Sequence, residues 1–328
     1  MNITAETILE MSGAYWKSCT LQTAVELGIF TVIGRGALTA EEIGRAIGGS
    51  RRGVPLLLNA LTAMGLLRRD GHGYANTEES FTLLSGKSPR YIGYLILHHY
   101  NLVASWNRLA EAVKTGHPQR ISAAVDNETV RENFLMGMFT IASIMGPLVA
   151  EAVDLSGRSR LLDLGGGPGT YAIHFCLKNP GLRATVFDLP TTRPLAEQTI
   201  RRFGLSDRIE FAGGDFVRDD FGGPYNAAWL SQILHGEGPE VCRAMIAKAA
   251  RALAPGGMIF IHEFILDDTL DSPLQPALFS LNMLVGTEGG RSYGEGEIRE
   301  MMAAAGFRDI ERLSFRSRTD SGILAGEI

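Results

Sequence analysis

The chain has 328 residues, of which 45% are hydrophobic and 20% are charged, so it is long enough for two domains with substantial cores. The formal net charge of -5 gives no general attraction to nucleic acid or to an anionic membrane, and we expect neither as a partner. The cysteines are widely spaced and form no Cys-x-x-Cys pair, which indicates reduced thiols and no metal site. No signal peptide or bilayer-spanning apolar run is expected, so the sequence predicts a cytoplasmic protein.

The first 90 residues predict a helical domain that ends in a hairpin. Apolar residues at helical spacing predict one helix over 3–30, and they are dense enough that more than one of its faces must be buried. The capping box from Thr39 to Glu42 predicts a helix to about Ile47, followed by a helix over 54–66 and a hairpin over 67–76. This order of elements is typical of a winged helix.

A winged helix can bind DNA, but its second helix must then present polar side chains to the major groove. Here that helix, over 54–66, is almost wholly apolar. The sequence therefore favours a packing and dimerisation domain over a DNA-binding one.

Residues 91–155 predict a helical linker, and residues 156–328 predict an α/β domain. In the second region, short apolar runs alternate with helical stretches. Strands are predicted over 161–164, 184–187, 209–211, 227–230 and 258–262, with helices after Thr170, Thr192, Pro239 and Glu295. The alternation is typical of an open, mostly parallel sheet.

The first of these strands runs into a glycine-rich turn that precedes a helix, an arrangement that lets backbone approach a nucleotide closely. A dinucleotide site has the spacing Gly-x-Gly-x-x-Gly, which cradles a pyrophosphate, whereas Gly165, Gly167 and Gly169 give Gly-x-Gly-x-Gly. Asp163, just before the turn, would repel phosphates but suits the ammonium of an amino-acid-bearing nucleoside. The motif therefore favours S-adenosylmethionine over NAD.

Side chains after the next two strands also fit an adenosine compound. Asp188 ends the second strand, where a carboxylate can accept hydrogen bonds from a ribose diol. Asp215 and Phe216 follow the third strand and offer an acceptor for the adenine amino group and an apolar face for stacking. Together they make an ordinary strand-to-helix turn a weak explanation of the glycines.

These motifs resemble those of the small-molecule O-methyltransferases of the caffeate and hydroxyindole type, including bacterial relatives on antibiotic and pigment pathways. The resemblance covers nearly the whole chain and rests on segments 163–169, 187–190, 214–216, 233–235 and 254–257. It implies a winged-helix dimerisation domain (1–90), a helical linker lining the substrate pocket (91–155) and a Rossmann-like class I methyltransferase domain (156–328). It also implies a homodimer that acts on an aromatic small molecule.

The resemblance implies that His235 is the general base and that Glu263 orients its imidazole. Strand alternation points the neighbouring His262 to the other face of the sheet, away from this pair. Two features depart from the plant enzymes: their second acid falls at Ser292, with Glu288 and Glu295 nearby, and their Asp-Trp after the base is replaced by Gly236-Glu237.

The resemblance also implies which residues contact the ligands. Ser231 stands in place of a lysine of the plant members, near the methionine carboxylate. The expected cofactor contacts are Asp163, Gly165, Gly167, Asp188, Leu189, Asp215, Phe216 and Ser231. The expected substrate contacts, which would form a flat apolar pocket, are Phe134, Met138, Asn282 and Met283.

Two alternatives stay open at this point. Relatives of this fold methylate nitrogen or carbon, or catalyse hydroxylation or decarboxylation with S-adenosylmethionine as a structural ligand, and the missing second acid favours these slightly. The other alternative is a winged-helix regulator that senses S-adenosylmethionine, against which the apolar second helix argues.

Overall fold

The computed structural model describes residues 3–119, 128–315, 317 and 320–328. These residues form two compact units: one contains 3–103 and 128–140, and the other contains 104–119 and 141–328. The segment 91–155 contributes to both units, and the division into three domains stays a prediction.

The first unit is mostly helical. Its described elements are α1 (Ala5–Gly13), α2 (Tyr15–Glu26), α3 (Ile29–Ile33), β1 (Ala37–Leu38), α4 (Ala40–Ile47), α5 (Gly53–Ala63), β2 (Leu67–Asp70), β3 (Gly73–Asn76), α6 (Glu78–Leu84) and most of α7 (Gly93–Trp106). The single helix predicted over 3–30 is wrong, because the chain breaks at Ala14 and again at Gly28. Gly28 has a φ of 66°, a left-handed conformation that ends a right-handed helix.

The elements predicted over 39–76 are present. Thr39 accepts the amide proton of Glu42 at 3.2 Å, and the Glu42 carboxylate accepts that of Thr39 at 2.8 Å, which completes the capping box of α4. Strands β2 and β3 pair antiparallel, and β1 adds to β3. Assignment of these elements to the winged-helix class stays a prediction.

The second unit is built on one mixed sheet. Its described helices are α8 (Leu109–Thr115), the end of α9 (Glu128–Ala152), α10 (Thr170–Lys178), α11 (Arg193–Arg202), α12 (Pro239–Ala252), α13 (Leu274–Gly286) and α14 (Glu295–Ala304). Its described strands are β4 (Arg160–Leu164), β5 (Arg183–Asp188), β6 (Ile209–Gly213), β7 (Tyr225–Ser231), β8 (Leu253–Leu266), β9 (Tyr293–Gly294), β10 (Arg308–Arg312) and β11 (Ser321–Glu327).

The sheet runs in the order β10-β11-β8-β7-β4-β5-β6 within the described chain, and β9 pairs with the end of β8. All pairs from β8 to β6 are parallel, whereas β10 and β11 are antiparallel additions. The chain winds outward in both directions from β4, which lies between β5 and β7. In such sheets ligands bind beyond the carboxyl ends of the strands at this switch point.

Alternate residues of each strand pack on opposite faces of the sheet. On β4, Leu162 and Leu164 join a core with α12 and α14, while Leu161 joins a core with α10 and α11. The residues of both cores are buried, so close packing on both faces fixes the strands whose ends carry polar side chains.

One described helix, α9, is long and apolar enough to cross a bilayer by length and composition, contrary to the prediction that no run reaches that length. Its first turn carries Glu128, and its last turns place Val149 and Ala150 in the core beside α10. Core helices pass the same test, so this helix alone is weak evidence for a membrane.

Candidate active site

The glycine-rich turn lies at the switch point, between the end of β4 and α10. Gly165, Gly167 and Gly169 have φ values of 66°, 53° and 76°, which favour glycine. A Cβ on Gly165 would lie 2.5 Å from Ile233 Cγ2, whereas one on Gly167 would meet nothing within 4 Å. Protein side chains therefore fill the space next to Gly165, whereas the space next to Gly167 is open. This opening fits a ligand that contacts the backbone closely.

Asp163 lies beneath this turn and is buried. Its carboxylate accepts the Ala172 amide proton at 3.2 Å, and a Cβ on Gly166 would lie 2.7 Å from its Cγ. Burial raises the pKa of Asp163 to about 7, and the charge of Asp188 adds to the rise. A nearby cation would restore the charged form, so the group suits an ammonium.

Asp188 links the second strand to the glycine turn. One carboxylate oxygen accepts the Gly167 amide proton at 2.8 Å, and the other accepts from Leu189 at 2.7 Å and from the Thr192 hydroxyl at 3.0 Å. The structure therefore brings Gly167, Asp188 and Leu189 together, as predicted for one ligand site.

Asp215 and Phe216 follow β6. The Asp215 carboxylate accepts the Val217 amide proton at 2.8 Å, and Phe216 packs against the core. A Cβ on Gly214 would lie 2.3 Å from the Phe187 ring, so glycine is required for this turn to close onto β5.

His235 and Glu263 form the pair expected from the sequence. His235 lies in a short 3-10 turn just after β7, and its Nδ1 is 2.8 Å from Glu263 Oε2. Glu263 Oε1 accepts the Leu234 amide proton at 2.8 Å. The Glu263 side chain is 3% exposed and that of His235 is 14% exposed. Because a carboxylate only accepts, His235 Nδ1 carries a proton toward it, and Nε2 of the neutral ring is an acceptor.

Aromatic rings surround the imidazole. The ring of Phe279 on α13 meets that of His235 edge-on with centroids 4.8 Å apart, and Phe264 on β8 packs against both rings. Neither phenylalanine was predicted as a site residue, because isolated aromatics in apolar runs are typical of a core.

Among the described residues at and near position 292, none takes the place of the second acid that the sequence comparison with the plant enzymes led us to look for. Ser292 is buried and donates to the Pro276 carbonyl at 2.8 Å. Glu295 is held by Arg299 at 2.7 Å and by Arg312 at 2.6 Å. Glu288 is exposed and lies 3.7 Å from His117. None of these three residues contacts His235. Of the described acids Glu263, Glu288 and Glu295, Glu263 is the one that hydrogen-bonds to the imidazole.

The four substrate-contact predictions fall in two places. Asn282 and Met283 lie on α13 in the second unit, where Asn282 Oδ1 accepts the Trp106 indole proton at 2.8 Å. Phe134 and Met138 lie on the part of α9 that belongs to the first unit. Trp106 was not predicted, since its partner is distant in sequence. The joint action of these residues on substrate stays a prediction.

Ser231 ends β7, and its hydroxyl is 2.9 Å from Nδ1 of His262. The alternation rule correctly places His262 on the face away from Glu263, but that face holds the partner of Ser231. Sequence reasoning therefore missed His262 as a neighbour of the cofactor residues. Within the described ranges, no three or more His, Cys, Asp or Glu side chains are grouped to hold a metal ion.

A glycine-rich turn at the switch point of a doubly wound sheet, with acids at or just after the ends of the next two strands, is typical of a nucleotide-binding site. Together with the family and relatives that the chain matches, it makes this chain an S-adenosylmethionine-dependent methyltransferase. The chain belongs to the O-methyltransferase family. Its residues 106–308 match the O-methyltransferase domain, and residues 9–86 match the O-methyltransferase dimerisation domain.

Two curated relatives from Streptomyces are each 35% identical to this chain. One is the 3-hydroxy-5-methyl-1-naphthoate 3-O-methyltransferase of Streptomyces sahachiroi, over 97% of this chain and 94% of the relative. The other is the tetracenomycin polyketide synthesis 8-O-methyl transferase of Streptomyces glaucescens, over 92% and 91%. The crystal structure of human N-acetylserotonin methyltransferase in complex with S-adenosylmethionine is also similar, with a TM-score of 0.87, 28% identity and coverage of 99% of this chain and 98% of that chain.

Proposed function

We propose that this enzyme transfers a methyl group to the hydroxyl of an aromatic small molecule of the secondary-metabolite or pigment type, with His235 as general base. The observation that carries the proposal is the 2.8 Å contact between His235 Nδ1 and the buried Glu263 carboxylate. This contact leaves Nε2 free to accept a proton. The two Streptomyces relatives, whose names specify O-methylation of a naphthoate and of a polyketide, support the substrate class.

Side chains of this enzyme account for the removal of the proton from the substrate hydroxyl. S-adenosylmethionine, when bound, supplies an electrophilic methyl group on a sulfonium. His235 Nε2 takes the proton of the substrate hydroxyl as the oxygen becomes the nucleophile. Glu263 stabilises the imidazolium that results, because the carboxylate of Glu263 is buried beside Nδ1 of His235. The rest of the rate enhancement comes from holding the reacting atoms in line.

The residues around the glycine turn fit the cofactor. The open backbone at Gly167 and the carboxylate of Asp188 would hold the methionine and ribose parts, with Gly165 and Leu189 beside them. Asp163 would face the ammonium, Asp215 and Phe216 would contact adenine, and Ser231 would complete the amino-acid end.

The side chains near His235 support an aromatic acceptor. Phe264 and Phe279 offer apolar ring faces and edges. The Trp106 indole donates a hydrogen bond to the side-chain oxygen of Asn282 and fixes the orientation of that amide. The Asn282 amide nitrogen is then left to donate to an acceptor group on the substrate. Met283, next to Asn282 on α13, would add to the apolar lining.

The test is a pair of substitutions with opposite effects. His235→Ala should lower kcat by about 10²- to 10⁴-fold and leave the Kd for S-adenosylhomocysteine unchanged. Asp188→Ala should weaken S-adenosylhomocysteine in titration calorimetry, which would identify the turn as the cofactor site. Equal turnover by His235→Ala would remove the base assignment.

We also propose a cytoplasmic homodimer without nucleic-acid or membrane partners. The matched dimerisation domain supports the assembly, and the apolar side chains of Leu9 and Trp16 are 71% and 68% exposed in the single chain. The negative net charge supports the absence of anionic partners.

A further inference from the structure

A row of polar side chains crosses three neighbouring strands on one face of the sheet, from β11 over β8 to the end of β7. Its centre is His262 on β8, which is 2% exposed. Nδ1 of His262 is 2.9 Å from Ser231 Oγ, and Nε2 is 2.9 Å from Ser321 Oγ. Ser321 Oγ donates to Ser317 Oγ at 2.7 Å. These four residues are called the serine–histidine chain below.

Aromatic rings hold the imidazole of His262 in place. Trp229 stacks on it with centroids 5.6 Å apart and planes at 26°. Tyr171 and Phe315 meet it edge-on at 5.9 and 5.7 Å. Rotation of the ring would break both of its hydrogen bonds and leave the nitrogens of a buried imidazole without partners, which is costly.

The hydrogen bonds of this chain have one direction. Ser321 has a single hydroxyl proton, which goes to Ser317, so His262 Nε2 must donate to Ser321. Burial lowers the pKa of His262 to about 4, so the ring is neutral and Nδ1 is an acceptor. Ser231 therefore donates its only proton inward to His262. On the side away from His262, the Ser231 oxygen therefore has lone pairs and no proton.

Ser231 lies next to the glycine turn. It is only partly buried at the carboxyl end of β7, where the preceding Leu230 pairs with Leu164, the residue before Gly165. The Tyr171 phenol on α10 also faces the Ser231 hydroxyl.

We propose that the serine–histidine chain fixes Ser231 as a hydrogen-bond acceptor for the ammonium of the cofactor's amino-acid part, with His262 as the positioning residue. An ammonium has three donors and no acceptor, whereas a carboxylate is acceptor-only and would receive no proton from Ser231. The sequence had placed Ser231 near the methionine carboxylate, and the direction of the hydrogen bonds reverses that assignment. The inference rests on the cofactor site proposed above.

Titration calorimetry with three ligands tests it: S-adenosylhomocysteine, its analogue without the amino group, and its analogue without the carboxylate. Ser231→Ala and His262→Phe should each weaken S-adenosylhomocysteine and the amine-bearing analogue by about tenfold, the effect of one hydrogen bond to a charged group. Binding of the analogue without the amino group should not change. Because His262 acts through Ser231, the double variant should bind no more weakly than Ser231→Ala.

Two further variants separate positioning from general stability. His262→Asn, whose amide oxygen can accept the Ser231 proton, should recover most of the affinity that His262→Phe loses. Thr185→Val removes another buried hydroxyl, which bonds Glu210 at 2.8 Å, and should lower Tm without changing any Kd. If His262→Phe does not fold, Ser231→Ala with the three ligands gives the answer.

Two results would overturn the inference. Selective weakening of the amine-free analogue would show that Ser231 donates to the carboxylate, and unchanged Kd values for all three ligands would leave the serine–histidine chain a purely structural role. Failure of the wild type to bind S-adenosylhomocysteine would instead refute the cofactor site itself.

Discussion

Glu263 Oε2 lies 2.8 Å from Nδ1 of His235, the proposed general base, and the proposal that Glu263 selects the tautomer of this imidazole can be tested by exchanging its carboxylate for an amide. The Leu234 amide occupies Oε1, so the amide of Glu263→Gln must place its oxygen there and its NH₂ toward His235 Nδ1. Nδ1 becomes an acceptor, and the proton moves to Nε2, where it blocks base catalysis. We expect kcat to fall by about 10²- to 10⁴-fold, measured by methyl transfer to a phenol.

The control for Glu263→Gln is the Kd for S-adenosylhomocysteine, which should match the wild type because Glu263 does not line the glycine turn. A normal kcat in this variant would show that the 2.8 Å pair is structural only.

The buried carboxyl of Asp163 opposes folding when it is charged. Folding raises its pKa from 3.8 to about 7, so in this pH window the folded chain binds more protons than the unfolded chain and stability falls as pH rises. Asp163→Asn keeps an acceptor for the Ala172 amide and removes the charge. It should stabilise the ligand-free enzyme by roughly 2–4 kcal/mol at the upper end of the window and by little at the lower end.

Urea unfolding of both proteins at the two ends of that window measures the difference. A constant difference across the window would show that Asp163 does not titrate there. The same variant should bind S-adenosylhomocysteine more weakly, because the ammonium loses its charged partner.

At the residue scale, sequence motifs singled out His235, Glu263 and the acids of the glycine turn, because the expected roles require particular side chains next to strand ends. The structure brings His235 and Glu263 together, and the roles of all these residues stay predictions. His262 and Trp106 could not be found in this way. Their partners, Ser321 and Asn282, are distant in sequence, and only the paired strands and packed helices bring them together.

The glycine turn is the element on which the proposed cofactor site depends, and Gly166 is the position in it where an added Cβ would have three contacts shorter than 3.0 Å. A Cβ there would lie 2.7 Å from Asp163 Cγ and 2.9 Å from Val186 Cγ1, both of which are buried. Gly166→Ala should therefore shift the turn and weaken S-adenosylhomocysteine at least about tenfold in titration calorimetry. Gly181→Ala, where a Cβ meets nothing within 4 Å, is the matched control and should bind normally. Normal binding by Gly166→Ala would place the ligand elsewhere.

At the element scale, helices and strands with strong local sequence signals were predicted correctly, whereas those with weak signals were not. The Thr39 capping box and the hairpin over 67–76 carry their own hydrogen bonds and turn residues, so local sequence predicts them. The helix predicted over 3–30 is wrong, because apolar spacing continues through the break at Gly28. Strand β11 (Ser321–Glu327) was missed because four of its seven residues are serine, glycine or alanine, which are weak strand formers, and its pairing with β8 makes it a strand.

The whole molecule is expected to act as a dimer through its N-terminal unit. Leu9 and Trp16 on α1 and α2 are exposed in the single chain, and a charge at either position would oppose burial in an interface. The double variant Leu9→Glu with Trp16→Glu should sediment as a monomer in analytical ultracentrifugation. Glu6→Gln, which lies on α1 with Leu9, is the control and should stay dimeric. A dimeric double variant would place the interface elsewhere.

The open, mostly parallel sheet of the second unit could be predicted, because alternating strands and helices allow few topologies. The order of its strands was not predicted and comes from the structure. The identity of the substrate could not, since it depends on side chains that come from separate segments of the chain.

The central claim, that His235 removes the proton from an aromatic hydroxyl, is tested most directly with a series of phenols of decreasing pKa. The rates of methyl transfer by the wild type and by His235→Ala are compared for each phenol at neutral pH. An acidic phenol is already ionised and needs no base, so the account predicts that the ratio of the two rates falls toward one along the series. A ratio that stays constant from weakly acidic to strongly acidic phenols would contradict it.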